Sequence, residues 1–124
     1  MLAKQVTDLW IYSKSLELGR VLFGLVDRIY QKDRIAEINQ ILRSSNSISS
    51  NIAEGFSNRF YSKKFILYLN IALGSSDEAQ NHLRILINKN YISSQQGLDI
   101  LRDYKNLSVR ILNFINYIKK KNGI

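Results

Sequence analysis

Cysteine and proline are both missing from the 124 residues, and histidine occurs only once. Without cysteine there is no disulfide framework and no thiolate zinc site, and nothing demands an oxidising compartment. A lone His82 excludes the multi-histidine metal cages. Proline mostly marks turns and strand ends, so a chain without it can run in long helices. Long apolar runs are lacking too. The longest, residues 21–26, falls far short of the roughly 20 residues of a membrane span. The first ten residues hold Lys4 and Asp8 among isolated apolar side chains, with no signal-peptide core or cleavage site. The expectation is a cytoplasmic protein without a membrane segment.

What is present suits one globular domain over residues 1–124. A hydrophobic fraction of 45% with 10% aromatics argues against disorder. A chain of this length hides roughly two-thirds of its unfolded surface on folding, enough for one core without staples. Lys and Arg number 18 against 10 Asp and Glu, a net charge of +8 that points to an anionic partner without naming it.

Apolar spacing predicts four helices. In the first, Leu9, Tyr12, Leu16, Phe23, Val26 and Tyr30 recur at three- and four-residue steps, with Gly19 in the gap and Thr7 or Asp8 as cap. The second starts from Asp33 as N-cap, turns Ile35, Ile38, Leu42, Ser45, Ser49, Ile52 and Phe56 to one face, and ends at Gly55 or Asn58. Ser62 caps the third, which carries Phe65, Leu69, Ala72, Leu73, Leu83 and Leu86 and closes at Asn90. Ser93 and Gln96 have capping-box spacing ahead of the fourth, whose seam is Leu101, Tyr104, Ser108, Ile111, Ile115 and Ile118. No strand-like alternation competes. Short connections make neighbouring helices antiparallel, so the predicted fold is an all-α, up-down-up-down four-helix bundle.

Two helices carry more apolar surface than a single stripe. Helix one has a second row, Ile11, Leu18, Leu22, Leu25 and Ile29; helix four adds Ile100, Leu107, Phe114 and Tyr117. These rows are either a wide core-facing stripe or a subunit interface on helices one and four.

Helix two also has a polar stripe: Gln40, Ser44, Ser47, Asn51 and Glu54 follow steps of four, three, four and three, beside Arg43. Helix three answers with Gly74, Ser75, Glu78 and His82. The bland reading is a satisfied network of Asn51, Ser47 and Ser75 fixing helix register. The functional one is a groove lined by Arg43, Asn51, Glu54 and Glu78. A ferritin-like di-iron site needs two Glu-x-x-His pairs, which one histidine cannot supply. A carboxylate pair of Glu54 and Glu78 is the remaining catalytic candidate. No phosphate-cradling glycine loop, nucleophile elbow or zinc spacing is present, so the expectation is a non-enzyme without metal or cofactor.

The positive charge lies mainly in the second half: residues 1–62 hold eight basic and six acidic side chains, residues 63–124 ten and four. Arg59, Lys63 and Lys64 cluster at the connection between helices two and three; Lys119, Lys120 and Lys121 close helix four. The expectation places these clusters at opposite ends of helix three. Phe60 and Tyr61 beside the first cluster would suit stacking on unpaired bases; a merely solvated basic face is the alternative.

Residues 40–55, Q-I-L-R-S-S-N-S-I-S-S-N-I-A-E-G, and the later Phe65-x-x-Tyr68-Leu69-x-Ile71-Ala72-x-Gly74-Ser75-x-x-Glu78 carry a family likeness. Together they resemble the two signatures of the ribosomal RNA intervening-sequence proteins, Q-x-x-R-A-x-x-S-I-x-x-N-I-A-E-G and F-x-x-Y-L-x-I-A-x-G-S-x-x-E. The matching positions are Gln40, Arg43, Ser47, Asn51, Glu54, Gly55, Gly74, Ser75 and Glu78. Asp8-Leu9 and Asn90-Tyr91-Ile92 fit more loosely. The chain departs where the family often has a tryptophan three residues after its first leucine, since Tyr12 stands there, and it lacks the proline before helix two. The resemblance implies a small cytosolic bacterial four-helix bundle, often encoded within insertions in 23S ribosomal RNA genes and assembling into homopentameric rings. It also implies kinship with the accessory protein of diversity-generating retroelements, a basic pentamer that binds the reverse transcriptase and nucleic acid. No enzymatic activity comes with it. The expected function is therefore a non-enzymatic basic oligomer binding RNA or a nucleoprotein partner, or else a structural protein–protein interaction module.

Overall fold

The computed structural model describes residues 2–33 and 35–124, with Gln31 and Asp33 as backbone only. Four helices make up the architecture: α1 Trp10–Asp33, α2 Ala36–Ser57, α3 Ser62–Asn88 and α4 Ser94–Lys121. Among the described residues there is no strand.

The helix boundaries follow local chemistry. Ser93 accepts a hydrogen bond from the Gln96 amide at 3.2 Å, capping α4 as its spacing predicts. Asn90 takes a left-handed φ of 62° after α3; its amide donates to the Ile87 carbonyl and the Tyr91 amide to the Leu86 carbonyl. That paired bonding is a Schellman stop, and asparagine is one of the few side chains that tolerate it. Gly123, at φ 65°, ends α4 in the same way, with the Ile124 amide on the Lys119 carbonyl.

Three expected caps are corrected. Asp8 lies in a short 3-10 turn, Val6–Asp8, and its carboxylate accepts from the amides of Lys4 and Gln5, so neither it nor Thr7 caps α1. α1 runs on through Asp33, and Ile35 takes the N-cap position of α2. Ser62 is the first residue of α3, with Tyr61 at the cap position.

The expected α1 row is only partly in the core: Leu9 and Val26 are buried and Tyr12 and Tyr30 half-buried, and the second row supplies the rest of the inward face. Ile11, Ser15, Leu18, Leu22 and Val26 are buried, whereas Leu16 and Phe23 are 50% and 53% exposed. Both rows are apolar enough to face inward. Gly19 settles the rotation, because its absent side chain lets α1 approach α2, where an added Cβ would stand 3.2 Å from Ser45 Oγ. In α2 the core positions are Ile38, Ile41, Ile48 and Ile52, with Leu42 and Ser49 half-buried. The α4 seam is buried as expected, joined by Ile100 and Leu107 from its second row; Phe114 is half-buried and Tyr117 exposed.

Packing is heaviest between α2 and α3, then α3 and α4, and lightest where α1 meets α4. Lys89, just beyond α3, bonds Glu37 in the first turn of α2 at 2.8 Å. Ser75 donates to Ser47 at mid-length, and Gly55 near the end of α2 lies against Phe65 and Tyr68 near the start of α3. Ser108 of α4 donates to Ser76 of α3 at 2.7 Å, while the rings of Phe65 and Phe114 meet edge to face. The last turns of α4 thus stand beside the first turns of α3.

Candidate nucleic-acid interface

The turn leaving α2 places the first cationic side chain. Asn58 ends that helix with its amide group on the Glu54 carbonyl, and Arg59 follows. The Arg59 guanidinium donates to the Phe56 carbonyl at 3.1 Å and lies 4.2 Å from the Phe56 ring centroid and 4.6 Å from that of Phe60. Such cation–π seating fixes a flexible cation at little cost in hydration. Phe60 and Tyr61 themselves are 82% and 67% exposed. Lys63 and Lys64 then occupy the first turn of α3, which holds no acidic residue.

The expected separation of the two basic clusters is overturned. Because α4 returns alongside α3, its last turn, with Lys119, Lys120 and Lys121, ends where α3 begins. A cleft there is lined by Arg59, Phe60 and Ser62 on one side and by Tyr117, Lys121 and Asn122 on the other. Lys63, Lys64, Asn122 and Ile124 line a neighbouring depression. The N-terminal segment adds Lys4, which sequence reasoning missed; only the direction of α1 in the bundle could have revealed it. The seven cations Lys4, Arg59, Lys63, Lys64, Lys119, Lys120 and Lys121 form no ion pair among the described residues.

Fold stability does not account for all of this charge. Lysines at the end of α4 favour its dipole, but Lys63 and Lys64 sit at the positive end of α3, where cations are unfavourable.

The polar stripe behaves as a register device. Asn51 donates to the Ser47 carbonyl at 2.8 Å and to its hydroxyl at 3.0 Å, and Ser75 donates to that hydroxyl. Gln40, Arg43, Glu54, Gly74 and Glu78 are exposed around this trio and are not drawn into it. Glu54 and Glu78 cannot work as a pair. Glu54 lies at the level where Gly55 meets Tyr68, and Glu78 is ten residues further along α3, roughly 15 Å away at the helical rise. Glu78 instead approaches His82 Nε2 at 3.5 Å, while His82 Nδ1 is buried without a partner among the described residues.

A second polar network went unread in the sequence. Gln80 donates to Ser108 at 2.9 Å and to the Tyr104 carbonyl at 3.4 Å, and Ser108 also donates to Asp77. The Tyr104 hydroxyl shares a hydrogen bond with Ser45 at 3.0 Å, and burial pushes the phenol up to about 12. Apart from exposed Asp77, these groups satisfy one another inside the bundle, which marks them as structural.

Among the described residues no helix is long and apolar enough to cross a membrane. Comparison with curated proteins finds no match. The chain is similar to a crystal structure of a Bacteroides thetaiotaomicron protein of unknown function from the S23 ribosomal protein family. The two are 30% identical with a TM-score of 0.79, and the match covers 85% of this chain and 97% of that one. A family model described as 23S rRNA-intervening sequence protein spans residues 7–113, taking in both signatures and most of the four helices. On that match the chain belongs to the 23S rRNA-intervening sequence protein family.

Proposed function

We propose that this protein is a non-enzymatic, up-down-up-down bundle that works without metal or cofactor in the cytoplasm. It assembles into a homo-oligomer, a homopentameric ring by family resemblance, and binds RNA or a nucleoprotein partner through its basic end. One observation carries the binding reading: seven cations without carboxylate partners among the described residues share one end of the bundle, two of them against a helix dipole. Charge held where it costs stability is charge held for a ligand. A polyanion supplies the missing counter-charge, and an oligomer would present the patch repeatedly and raise avidity.

The test is fluorescence anisotropy with single-stranded RNA across a salt series. Binding is expected at about 50 mM salt and should weaken steeply by about 200 mM. Replacing Lys119, Lys120 and Lys121 by Gln should reduce the salt slope by about 2, at about 0.7 per lost phosphate contact. The same change at exposed Arg84 and Lys105 should leave it unaltered. Absence of binding at the lower salt would overturn the reading.

The runner-up is a structural protein–protein interaction module with no direct nucleic-acid contact. The exposed Leu16 and Phe23 of α1, with Val109 and Leu112 of α4, favour it. Capture of a defined protein partner that survives nuclease treatment, with no RNA affinity of the pure chain, would move the assignment there.

A further inference from the structure

The half-open cleft at the basic end has a volume of about 620 Å³, within the roughly 300–1,000 Å³ of small-ligand sites. Its contents are of two kinds. Lys4, Arg59 and Lys121 bring three cations to its rim, and Phe60, Phe65 and Tyr117 bring aromatic rings. Phe65 and Tyr117 are part of an ordered column, while Phe60 packs against Arg59. Phe65 meets Phe114 edge to face at 5.7 Å, and Phe114 stacks on Tyr117 at 6.2 Å with only 9° between planes. Tyr117, at the outer end of the column, is 49% exposed.

Arg59 is held before any ligand arrives. Its guanidinium spends one donor on the Phe56 carbonyl and lies close to both the Phe56 and Phe60 rings. A guanidinium has five N–H donors in a rigid fork, so the rest remain for an oxyanion. The Lys121 ammonium stands 5.9 Å from the Tyr117 ring centroid, bringing charge and π-face to the same wall.

We infer that this cleft is a nucleoside-phosphate pocket, taking the phosphate on Arg59, Lys121 and Lys4 and the base against Phe60 and Tyr117. The proposal rests on the nucleic-acid reading above and narrows it to one pocket and one chemical unit. An acidic peptide would satisfy the cations but leave exposed aromatic faces unused. A nucleoside phosphate answers both features at once. The unit is either a free nucleotide or the 5′-terminal nucleotide of a strand.

NMR titration of the intact chain with adenosine monophosphate, adenosine and inorganic phosphate tests the pocket. Adenosine monophosphate should bind at least about fivefold more tightly than either fragment, the scale of one stacked base. Phe60→Ala should abolish its advantage over phosphate, and Arg59→Gln its advantage over adenosine. Arg59 also braces the turn after α2, so Lys121→Gln, an exposed change, repeats that arm without risk to folding. Equal affinities for all three probes, or no effect of Phe60→Ala, would overturn the proposal. A single-stranded tetranucleotide then separates the sources. Tighter binding with a 5′-phosphate than with a 5′-hydroxyl supports the strand end, and binding no tighter than adenosine monophosphate supports the free nucleotide. If long RNA binds with its expected salt slope while adenosine monophosphate does not, the pocket fails and the polyanion reading stands. If only the mononucleotide binds, the polyanion reading fails instead.

Discussion

Tyr104 is the most consequential polar side chain in the core. It is fully buried, and its hydroxyl shares one hydrogen bond with Ser45 of α2. Tyr104→Phe removes that bond and should cost about 1 kcal/mol in urea denaturation. The same hydroxyl sets an alkaline limit. Between pH 10 and 12 an unfolded tyrosine has released its proton while folded Tyr104 retains it, so unfolding releases a proton and stability falls as pH rises. The slope should reach about 1.4 kcal/mol per pH unit in that window and be absent below it. Denaturation midpoints should drop less in Tyr104→Phe than in the parent chain over the same range.

Glycines divide by their surroundings. A Cβ on Gly97 would stand 2.5 Å from Ile87 Cγ1 and 3.0 Å from Ile92 Cδ1, so Gly97→Ala should destabilise by about 1–3 kcal/mol. Gly74 meets nothing within 4 Å, and Gly74→Ala should stabilise the fold by about 0.5–1 kcal/mol. Thermal melts of the two variants check the opposite signs. A gain at Gly74 would mean that its own chain does not require this signature glycine.

Helix interfaces show what the sequence could and could not reveal. The Ser47–Asn51–Ser75 link was legible, because small polar residues at steps of four and three on α2 faced others on α3. The stop at Asn90 and the cap at Ser93 were legible from residue chemistry alone. The buried face of α1 was legible only in part. Leu9 and Val26 of the expected row are buried, but Leu16 and Phe23 turn outward and polar Ser15 turns in, which hydrophobic count alone did not favour. Rotation of a doubly apolar helix is decided by its neighbours, here through the close passage at Gly19. The α3–α4 network of Ser76, Gln80 and Ser108 was hidden, since each residue is unremarkable in its own helix. Ser108→Ala strips partners from Ser76, Asp77 and Gln80 together and should cost about 1–3 kcal/mol by chemical denaturation.

At the scale of the whole molecule, the basic end was illegible for a different reason. Lys119, Lys120 and Lys121 are plain in the sequence, but which end of the bundle they reach depends on the direction of each helix, and the expected placement was wrong. With the clusters united and Lys4 added, most of the net charge of +8 lies at one pole. The molecule therefore has a large electric dipole moment along the helix direction. It should approach a polyanion pole first, at a rate that falls with ionic strength. Copies standing side by side in register add their dipoles and bring like poles together. Assembly of that kind should tighten as salt rises, while RNA affinity weakens, and light scattering beside anisotropy over one salt series would display the opposing trends. On the proposed reading, a bound polyanion would then do at low salt what screening does at high salt, neutralising the shared pole and letting copies stand parallel.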